Sequence, residues 1–223
     1  MKRTFLLLSL LLLATPFVYS QELNERPMYG GIKKTPEMIG IDNEFIDYMV
    51  RTFGSRDKAA DDAIHRGFES LAKADWRMAM KRFNQAWLLS PGKPEVAWGF
   101  GAALSYEGKF EDSKKYFQQA MALAPNSGKL LTDFGFLYQF WATRGTRDKT
   151  EKLKRLDRSI ELFADATRLE PTYEKAYFDW AVSLYFKNDY AGAWHKINEA
   201  EQLGGKSIDQ KFVADLTKKM SRP

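Results

Sequence analysis

The chain has 223 residues and a formal net charge of +5, and 44% of its residues are hydrophobic and 28% charged. These proportions are typical of a folded globular protein and exclude a disordered or fibrous chain. Cysteine is absent, which excludes disulfide bonds, a cysteine nucleophile and the attachment of a lipid to a cysteine after an export signal.

Residues 1–20 have the pattern of a secretory signal peptide. Lys2 and Arg3 precede an apolar run at 5–13, and the small residue Ser20 marks the cleavage site. The run is shorter than the roughly 18 apolar residues of a transmembrane helix, although an uncleaved anchor remains the alternative. The pattern predicts a periplasmic or secreted protein. Loss of the two basic residues lowers the net charge from +5 to +3, which is too small to indicate a nucleic-acid partner.

The next two segments precede the main body of the chain. Residues 21–41 lack a helical period and are rich in turn formers, which indicates a flexible N-terminal lead. The alternative is an extended peptide that docks on the protein's own groove or on a partner through Met28 and Tyr29. Residues 42–54 are predicted to form an N-terminal capping helix, because apolar residues recur there at helical spacing. They are Phe45, Ile46, Met49, Val50 and Phe53.

The rest of the chain repeats itself. Pro91 and Pro125 are 34 residues apart, and the next proline of the series, Pro171, follows after 46. The interval of 34 returns between Ala166 and Ala200. Such a period indicates a stack of repeated helical units. The predicted units are 60–93, 94–127, 128–173 with an insertion of 12 residues, and 174–207.

The recurring residues have a common physical role. Small residues fall where one helix must approach its partner closely, and a bulky apolar residue recurs where two hairpins meet and contributes about 1.5–3 kcal/mol by burial. The small residues are Gly67, Gly101, Gly135 and Ala181, and the bulky residues are Phe83, Phe117, Phe163 and Ile197. This pattern resembles the tetratricopeptide repeat (TPR), a 34-residue helix-turn-helix unit. The resemblance implies an all-α, right-handed solenoid of about four helical hairpins.

A solenoid needs a cap at each end, because a terminal hairpin would otherwise expose an apolar face. Residues 207–221 are predicted to form the C-terminal capping helix, with Ser207 and Gln210 as a capping box. Its apolar face consists of Ile208, Phe212, Leu216 and Met220.

The sequence contains no arrangement of residues that indicates catalysis. Known nucleophile, metal-binding and phosphate-binding motifs are missing. The two histidines, His65 and His195, belong to the first and last units and are expected at opposite ends of the stack. We therefore predict no catalytic residue, no metal site and no cofactor. An enzyme with an unrecognised site remains the rival hypothesis.

A second stripe runs along the first helix of each unit, at i, i+4 and i+7. In proteins of the TPR family this stripe lines a concave groove. Because the stripe is apolar and aromatic here, it favours an amphipathic helix or extended peptide as partner. The alternative is that these aromatics bury against neighbouring helices or under the N-terminal segment. The predicted groove residues are Ile64, Phe68, Trp98, Ser105, Lys129, Thr132, Phe136, Gln139, Lys175, Phe178 and Tyr185.

The insertion in the third unit is basic, with a net charge of +4 over residues 142–158. Its helices are expected to be long, with a turn near Arg144–Thr146 and an apolar face on the second helix beginning at Leu153. A basic tip of this kind would make weak contacts with an anionic membrane or polymer, and a solvated helical face is the alternative. The basic residues are Arg144, Arg147, Lys149, Lys152, Lys154, Arg155 and Arg158.

The resemblance implies a function in binding rather than in catalysis. Exported bacterial members of the TPR family often act in the assembly of pili, secretion systems or the outer membrane. We therefore expect a scaffold or adaptor of the bacterial cell envelope that binds a protein or peptide partner. The residues do not indicate which partner, or an oligomeric state.

Overall fold

The computed structural model describes residues 23–223, so the predicted signal peptide lies outside the described residues. Between residues 23 and 223 the chain forms ten α-helices. None of them is both long enough and apolar enough to cross a membrane. They are α1 (Pro36–Phe53), α2 (Arg56–Ala72), α3 (Trp76–Leu89), α4 (Pro94–Glu107), α5 (Phe110–Leu123), α6 (Gly128–Arg144), α7 (Lys149–Leu169), α8 (Glu174–Phe186), α9 (Tyr190–Gln202) and α10 (Gln210–Lys219).

Eight of these helices form four consecutive hairpins, α2/α3, α4/α5, α6/α7 and α8/α9. The predicted fold class, an all-α stack of helical hairpins between two terminal helices, is confirmed. Each first helix also packs against the first helix of the next hairpin. The first helices α2, α4, α6 and α8 therefore form a continuous layer, which is called the inner layer.

Phe83 on α3 joins the first two hairpins. Its ring is fully buried and lies so close to Gly67 on α2 that a Cβ atom there would be 2.6 Å from the ring. A Cβ atom on Gly99 of α4 would be 2.2 Å from the same ring. The sequence identified Gly67 as a point of close approach but missed Gly99, which makes the tighter contact across the two hairpins.

The same contact recurs along the stack. A Cβ atom on Gly101 would lie 2.8 Å from Phe117, and one on Gly135 would lie 2.6 Å from Phe163. In the fourth hairpin the fully buried pair is Ala181 and Ile197. Since both partners in each pair are buried, the distance between the helices depends on the absence of a side chain at the glycines.

The first residues of both terminal helices differ from the prediction, with α1 starting earlier and α10 later. The capping helix α1 begins at Pro36, six residues before the predicted start at 42, because the Thr35 side chain caps it and proline fits its first turn. The helix α10 begins at Gln210 behind the N-cap Asp209. Ser207 is therefore not the N-cap, and its hydroxyl donates to the Glu174 carboxylate instead (2.9 Å).

The insertion lengthens both helices of the third hairpin. Its turn lies between Arg144 and Lys149, and Asp148 caps α7 by accepting a hydrogen bond from the backbone N–H of Glu151 (2.8 Å). The apolar face of α7 begins at Leu156, which is fully buried, rather than at Leu153, which is 36% exposed.

The N-terminal segment differs most from its prediction. Residues 23–34 pack on α3, and Leu23 is only 7% exposed. The predicted flexible lead is therefore folded in its described part, with residues 23–34 on the first hairpin and residues 36–41 in α1. Met28 and Tyr29 do dock on the protein itself, as the alternative proposed, but on α3 and not on the groove of the first helices.

The contact between Phe83 and Gly99 can be tested by adding one methyl group. We expect Gly99→Ala to lower the free energy of unfolding by about 1–3 kcal/mol, because the ring and the helix cannot both keep their positions. The matched control is Gly40→Ala on α1, where a Cβ atom meets nothing within 4 Å. This control should not lower the free energy of unfolding, because alanine favours a helix by roughly 0.5–1 kcal/mol over glycine. Urea unfolding measures the stability of both variants. An unfolding midpoint of Gly99→Ala equal to that of the wild type would contradict the close contact between Phe83 and Gly99.

Candidate interaction groove

Four of the predicted groove residues are buried and unavailable to a partner. Ile64 is 8% exposed, Ser105 2%, Thr132 0% and Gln139 5%. The Thr132 hydroxyl donates to the backbone carbonyl of Gly128 (2.8 Å), and the Ser105 hydroxyl donates to that of Ala102 (2.7 Å). These four assignments to the groove were wrong, because adjacent first helices pack side by side and cover these positions.

Gln139 illustrates how this packing uses a polar residue. Its amide Nε2 on α6 donates to the backbone carbonyl of Asp179 (2.7 Å) and to the Ser183 hydroxyl (2.9 Å), both on α8. Ser183 in turn shares a hydrogen bond with Ser159 on α7 (2.8 Å). Gln139 therefore joins hairpins three and four, and its burial requires these partners.

The two predicted residues at the C-terminal end lie against the capping helix. Phe178 and Tyr185 contact Phe212 of α10, with ring centroids 5.6 Å and 5.4 Å apart. They belong to the apolar cluster of the last hairpin. Both side chains are half-buried, and the capping helix covers part of their surface.

The remaining predicted residues keep at least part of their side chains exposed. Phe68 and Trp98 meet edge to face with centroids 4.9 Å apart. Phe136 is half-buried, and Lys129 is exposed at the start of α6. Lys175 lies over the ring of Phe136, with its ammonium 5.4 Å from the centroid.

Two further aromatic residues of this surface were not predicted. Tyr106, which is 39% exposed, and Phe140 lie with Phe136 in an aromatic cluster whose centroids are 5.7–6.3 Å apart. The signal was present, since Tyr106 and Phe140 are separated by the repeat interval of 34 residues. Each directly follows a predicted residue that is buried, Ser105 or Gln139, so the exposed stripe is displaced by one position.

Three charged side chains form an ion-pair cluster beside the aromatic cluster. The Lys175 ammonium is 2.6 Å from the Asp179 carboxylate and 3.4 Å from that of Asp133. The indole N–H of Trp98 donates to the other Asp133 oxygen (3.0 Å). The cluster therefore connects α4, α6 and α8 of the inner layer.

Burial and ion pairing act in opposite directions on the pKa values of Lys175 and Asp179. It raises the pKa of the Asp179 carboxyl, although Lys175 acts in the opposite direction. Burial lowers the pKa of Lys175, but the carboxylates of Asp179 and Asp133 outweigh it and hold the pKa above its ordinary value. Burial also raises the pKa of the neighbouring Tyr173 to about 12. Lys175 is therefore a cation, and Asp179 depends on it as a counter-ion.

Residues suited to catalysis are not brought together here. The side chains of His65 and His195 are 74% and 71% exposed, and each lies near a glutamate on its own helix. No group of three potential metal-binding side chains occurs within residues 23–223. What the described surface offers is aromatic area next to paired charges, which suits binding.

Most basic residues of the insertion also contact side chains of the protein itself. The Arg155 guanidinium lies 4.2 Å from the centroid of Trp141, and that of Arg144 lies 4.6 Å from Phe140. Lys152 lies over Phe186. Lys154 and Arg158 pair with glutamates on their own helix, and Arg147 and Lys149 are exposed. The geometry therefore gives little support to the predicted membrane or polymer contact.

The ion-pair cluster predicts a pH-dependent effect of removing Lys175. We expect Lys175→Met to lower the free energy of unfolding by about 2 kcal/mol, less than the roughly 3–5 kcal/mol of a fully buried pair, because the Lys175 side chain is 35% exposed. Without its counter-ion Asp179 binds a proton more readily in the folded than in the unfolded state. The stability of Lys175→Met therefore falls as pH rises. Its loss of stability relative to the wild type should be smaller at about pH 5 than at about pH 7.

The control for this experiment is the double variant Lys175→Met/Asp179→Asn. Since it has no buried carboxylate to protonate, the pH dependence of the loss should disappear. Thermal unfolding at several pH values measures both variants. If Lys175→Met lost the same amount of stability at about pH 5 and at about pH 7, the dependence of Asp179 on Lys175 would be contradicted.

Comparison with known proteins finds similar structures but no matching sequence. No family model matches the sequence, and no characterised protein sequence matches it. Among solved structures it is similar to TTC0263, a thermophilic TPR protein of Thermus thermophilus, with a TM-score of 0.66 and 16% identity. That match covers 73% of this chain and 84% of TTC0263.

A second similar structure is YrrB, described as a TPR protein with an unusual peptide-binding site. The TM-score is 0.50 at 17% identity, and the match covers 88% of this chain and 97% of YrrB. At such identities the similarity concerns the fold alone. The repeats of the sequence, the four hairpins of the structure and these two matches agree that the chain has the fold of tetratricopeptide-repeat proteins.

Proposed function

We propose that this chain is a non-enzymatic scaffold that binds an apolar helix or extended peptide of a partner protein in its concave groove. The observation that carries the proposal is the aromatic cluster of Tyr106, Phe136 and Phe140, which remains partly exposed on the inner layer. Aromatic side chains supply large contact area and are common at the centres of protein interfaces. The peptide-binding site described for YrrB, a protein of the same fold, supports this class of function.

The charges around the cluster indicate the chemistry of the partner. Asp133 and Lys175 already pair with each other at the centre. Lys129 at the start of α6 and Arg144 at its end are both exposed, and at about 1.5 Å per residue they lie roughly 22 Å apart. A segment with apolar anchors in the middle and an acidic residue towards each end would complement this surface.

The proposal includes a location in the bacterial cell envelope. It rests on residues 1–20, whose basic start, apolar run and small cleavage-site residue favour export. Mass spectrometry of the chain expressed with its own N-terminus tests this part. A mature product that starts at Gln21 in the periplasmic or extracellular fraction is the expected result, and an intact chain in the cytoplasm would contradict it.

Binding through the groove predicts which substitutions matter. We expect Tyr106→Ala with Phe140→Ala to weaken partner binding by about tenfold or more, since residues at interface centres often contribute roughly 2 kcal/mol. The matched control is Leu123→Ala, which removes a side chain that is 56% exposed on α5, outside the inner layer. This control should leave the affinity unchanged.

Photocrosslinking identifies the partner for these measurements. A photoreactive phenylalanine at position 106 should capture a discrete partner in cells, whereas the same group at position 123 should not. Affinities for the captured partner are then measured by titration. Equal capture at both positions, or equal affinities for the groove variant and the control, would remove the groove as the binding surface.

A further inference from the structure

The segment of residues 23–34, the N-terminal strap, is bound to the outer helix α3 through one buried side chain. The Asn84 amide Nδ2 donates to the backbone carbonyls of Asn24 and Arg26 (2.9 Å each). Its Oδ1 atom accepts a hydrogen bond from the backbone N–H of Met28 (2.7 Å). Asn84 is fully buried, so this one amide recognises the backbone of the strap over the five residues 24–28.

Neighbouring residues on the same face of α3 contact the strap's side chains. Lys81 and Arg77 lie 3.1 Å and 3.8 Å from the Glu25 carboxylate. The ring of Trp87 meets Tyr29 edge to face, with centroids 6.1 Å apart. The four α3 residues, with Asn84 among them, are spaced by four, three and three, which is one helical face.

The strap holds a backbone conformation that it would not adopt alone. Met28 and Tyr29 have φ angles of 51° and 56°, in the left-handed region that residues with a Cβ atom avoid. Two glycines follow in the same region, Gly30 and Gly31. Such a conformation persists only where its surroundings impose it. The contacts on α3 therefore select this shape.

The helix that comes after the strap is attached to the first hairpin by half-buried apolar side chains, among them Phe45 and Phe53. The helix α1, which follows the strap, has no buried residue. A pocket of ≈ 300 Å³ lies between α1 and the first hairpin, lined in part by Tyr48, Arg66 and Arg82. Regions with few buried contacts open without unfolding of the whole protein. The strap itself lies outside the four hairpins, so its release from α3 would leave the contacts between the hairpins in place.

We propose that the outer face of α3 is a peptide-recognition site, separate from the groove, and that the strap is its resident intramolecular ligand. The site takes a segment with a glutamate followed after two residues by a methionine and an aromatic residue, as in Glu25, Met28 and Tyr29. Because the resident strap is covalently attached, it competes at a high effective concentration. A peptide of the same chemistry binds when the strap is displaced.

The test uses the full chain and a fluorescent peptide with the sequence of residues 23–34. In the strap-disrupted chain Glu25→Lys/Met28→Asp, α3 is intact and its site is vacated. Fluorescence anisotropy should show that the peptide binds this chain about tenfold more tightly than it binds the wild type, whose site is occupied. Adding Asn84→Ala to the strap-disrupted chain should abolish binding.

A charge exchange keeps the test independent of how well the Asn84 variant folds. Adding Lys81→Glu to the strap-disrupted chain should weaken binding of the wild-type peptide, and a peptide with Glu25→Lys should bind this chain more tightly than the wild-type peptide does. Tyr106→Ala in the groove should change neither affinity. Equal peptide affinity for the wild-type and strap-disrupted chains would overturn the proposal. So would a peptide affinity that changes with neither Asn84→Ala nor Lys81→Glu.

Discussion

The close approach of Phe83 to Gly67 and Gly99 is the contact on which the architecture depends. The ring comes from a second helix and touches the glycines of two successive first helices. It therefore fixes both the distance within the first hairpin and the distance to the next one. Phe117 and Phe163 repeat the first of these contacts along the stack. The absence of a side chain at the glycines allows the first helices to form one continuous inner layer.

This inner layer determines which residues can meet a partner. Where two first helices touch, the residues between them are buried, and Gln139 and Thr132 form hydrogen bonds within the protein. The residues one position further along remain on the surface. They bring the aromatic cluster and the ion-pair cluster next to each other, so binding capacity on this face follows from the packing of the layer.

The two faces of the stack offer different kinds of recognition. On the inner layer the groove presents aromatic side chains and paired charges, which suit the side chains of a partner segment. On α3 the buried Asn84 binds the backbone of the strap, while Lys81 and Trp87 contact its side chains. The first surface is open within the described residues, and the second is occupied by the protein's own strap.

The sequence predicted the fold well because the fold rests on residues that recur. Glycine and phenylalanine at fixed intervals indicate hairpins, since few other residues fit a contact as close as that of Gly135 with Phe163. The first residues of the two terminal helices were predicted less well. Ser207 looked like a helix cap but binds Glu174, a partner 33 positions away that local reasoning could not find.

The candidate site could be predicted only in part, for a related physical reason. Helical spacing identifies the face of a helix but not how far a neighbouring helix covers it. Ser105 and Gln139 therefore looked exposed, whereas Tyr106 and Phe140 were missed although they recur at the repeat interval. Docking through Met28 and Tyr29 was foreseen as an alternative, but the place and the left-handed conformation were not, because α3 imposes that conformation and the sequence of the segment favours no regular structure.

The central claim is that a partner binds the inner layer, and hydroxyl-radical footprinting of the complex tests it most directly. Each aromatic side chain reacts in proportion to its exposure, so oxidation of Tyr106, Phe136 and Phe140 measures access to the groove in a single experiment. The account predicts that the crosslinked partner protects these three side chains, while Leu123 on α5 oxidises at the same rate as in the free protein. Protection of Leu123 with unchanged oxidation of the aromatic cluster would contradict it.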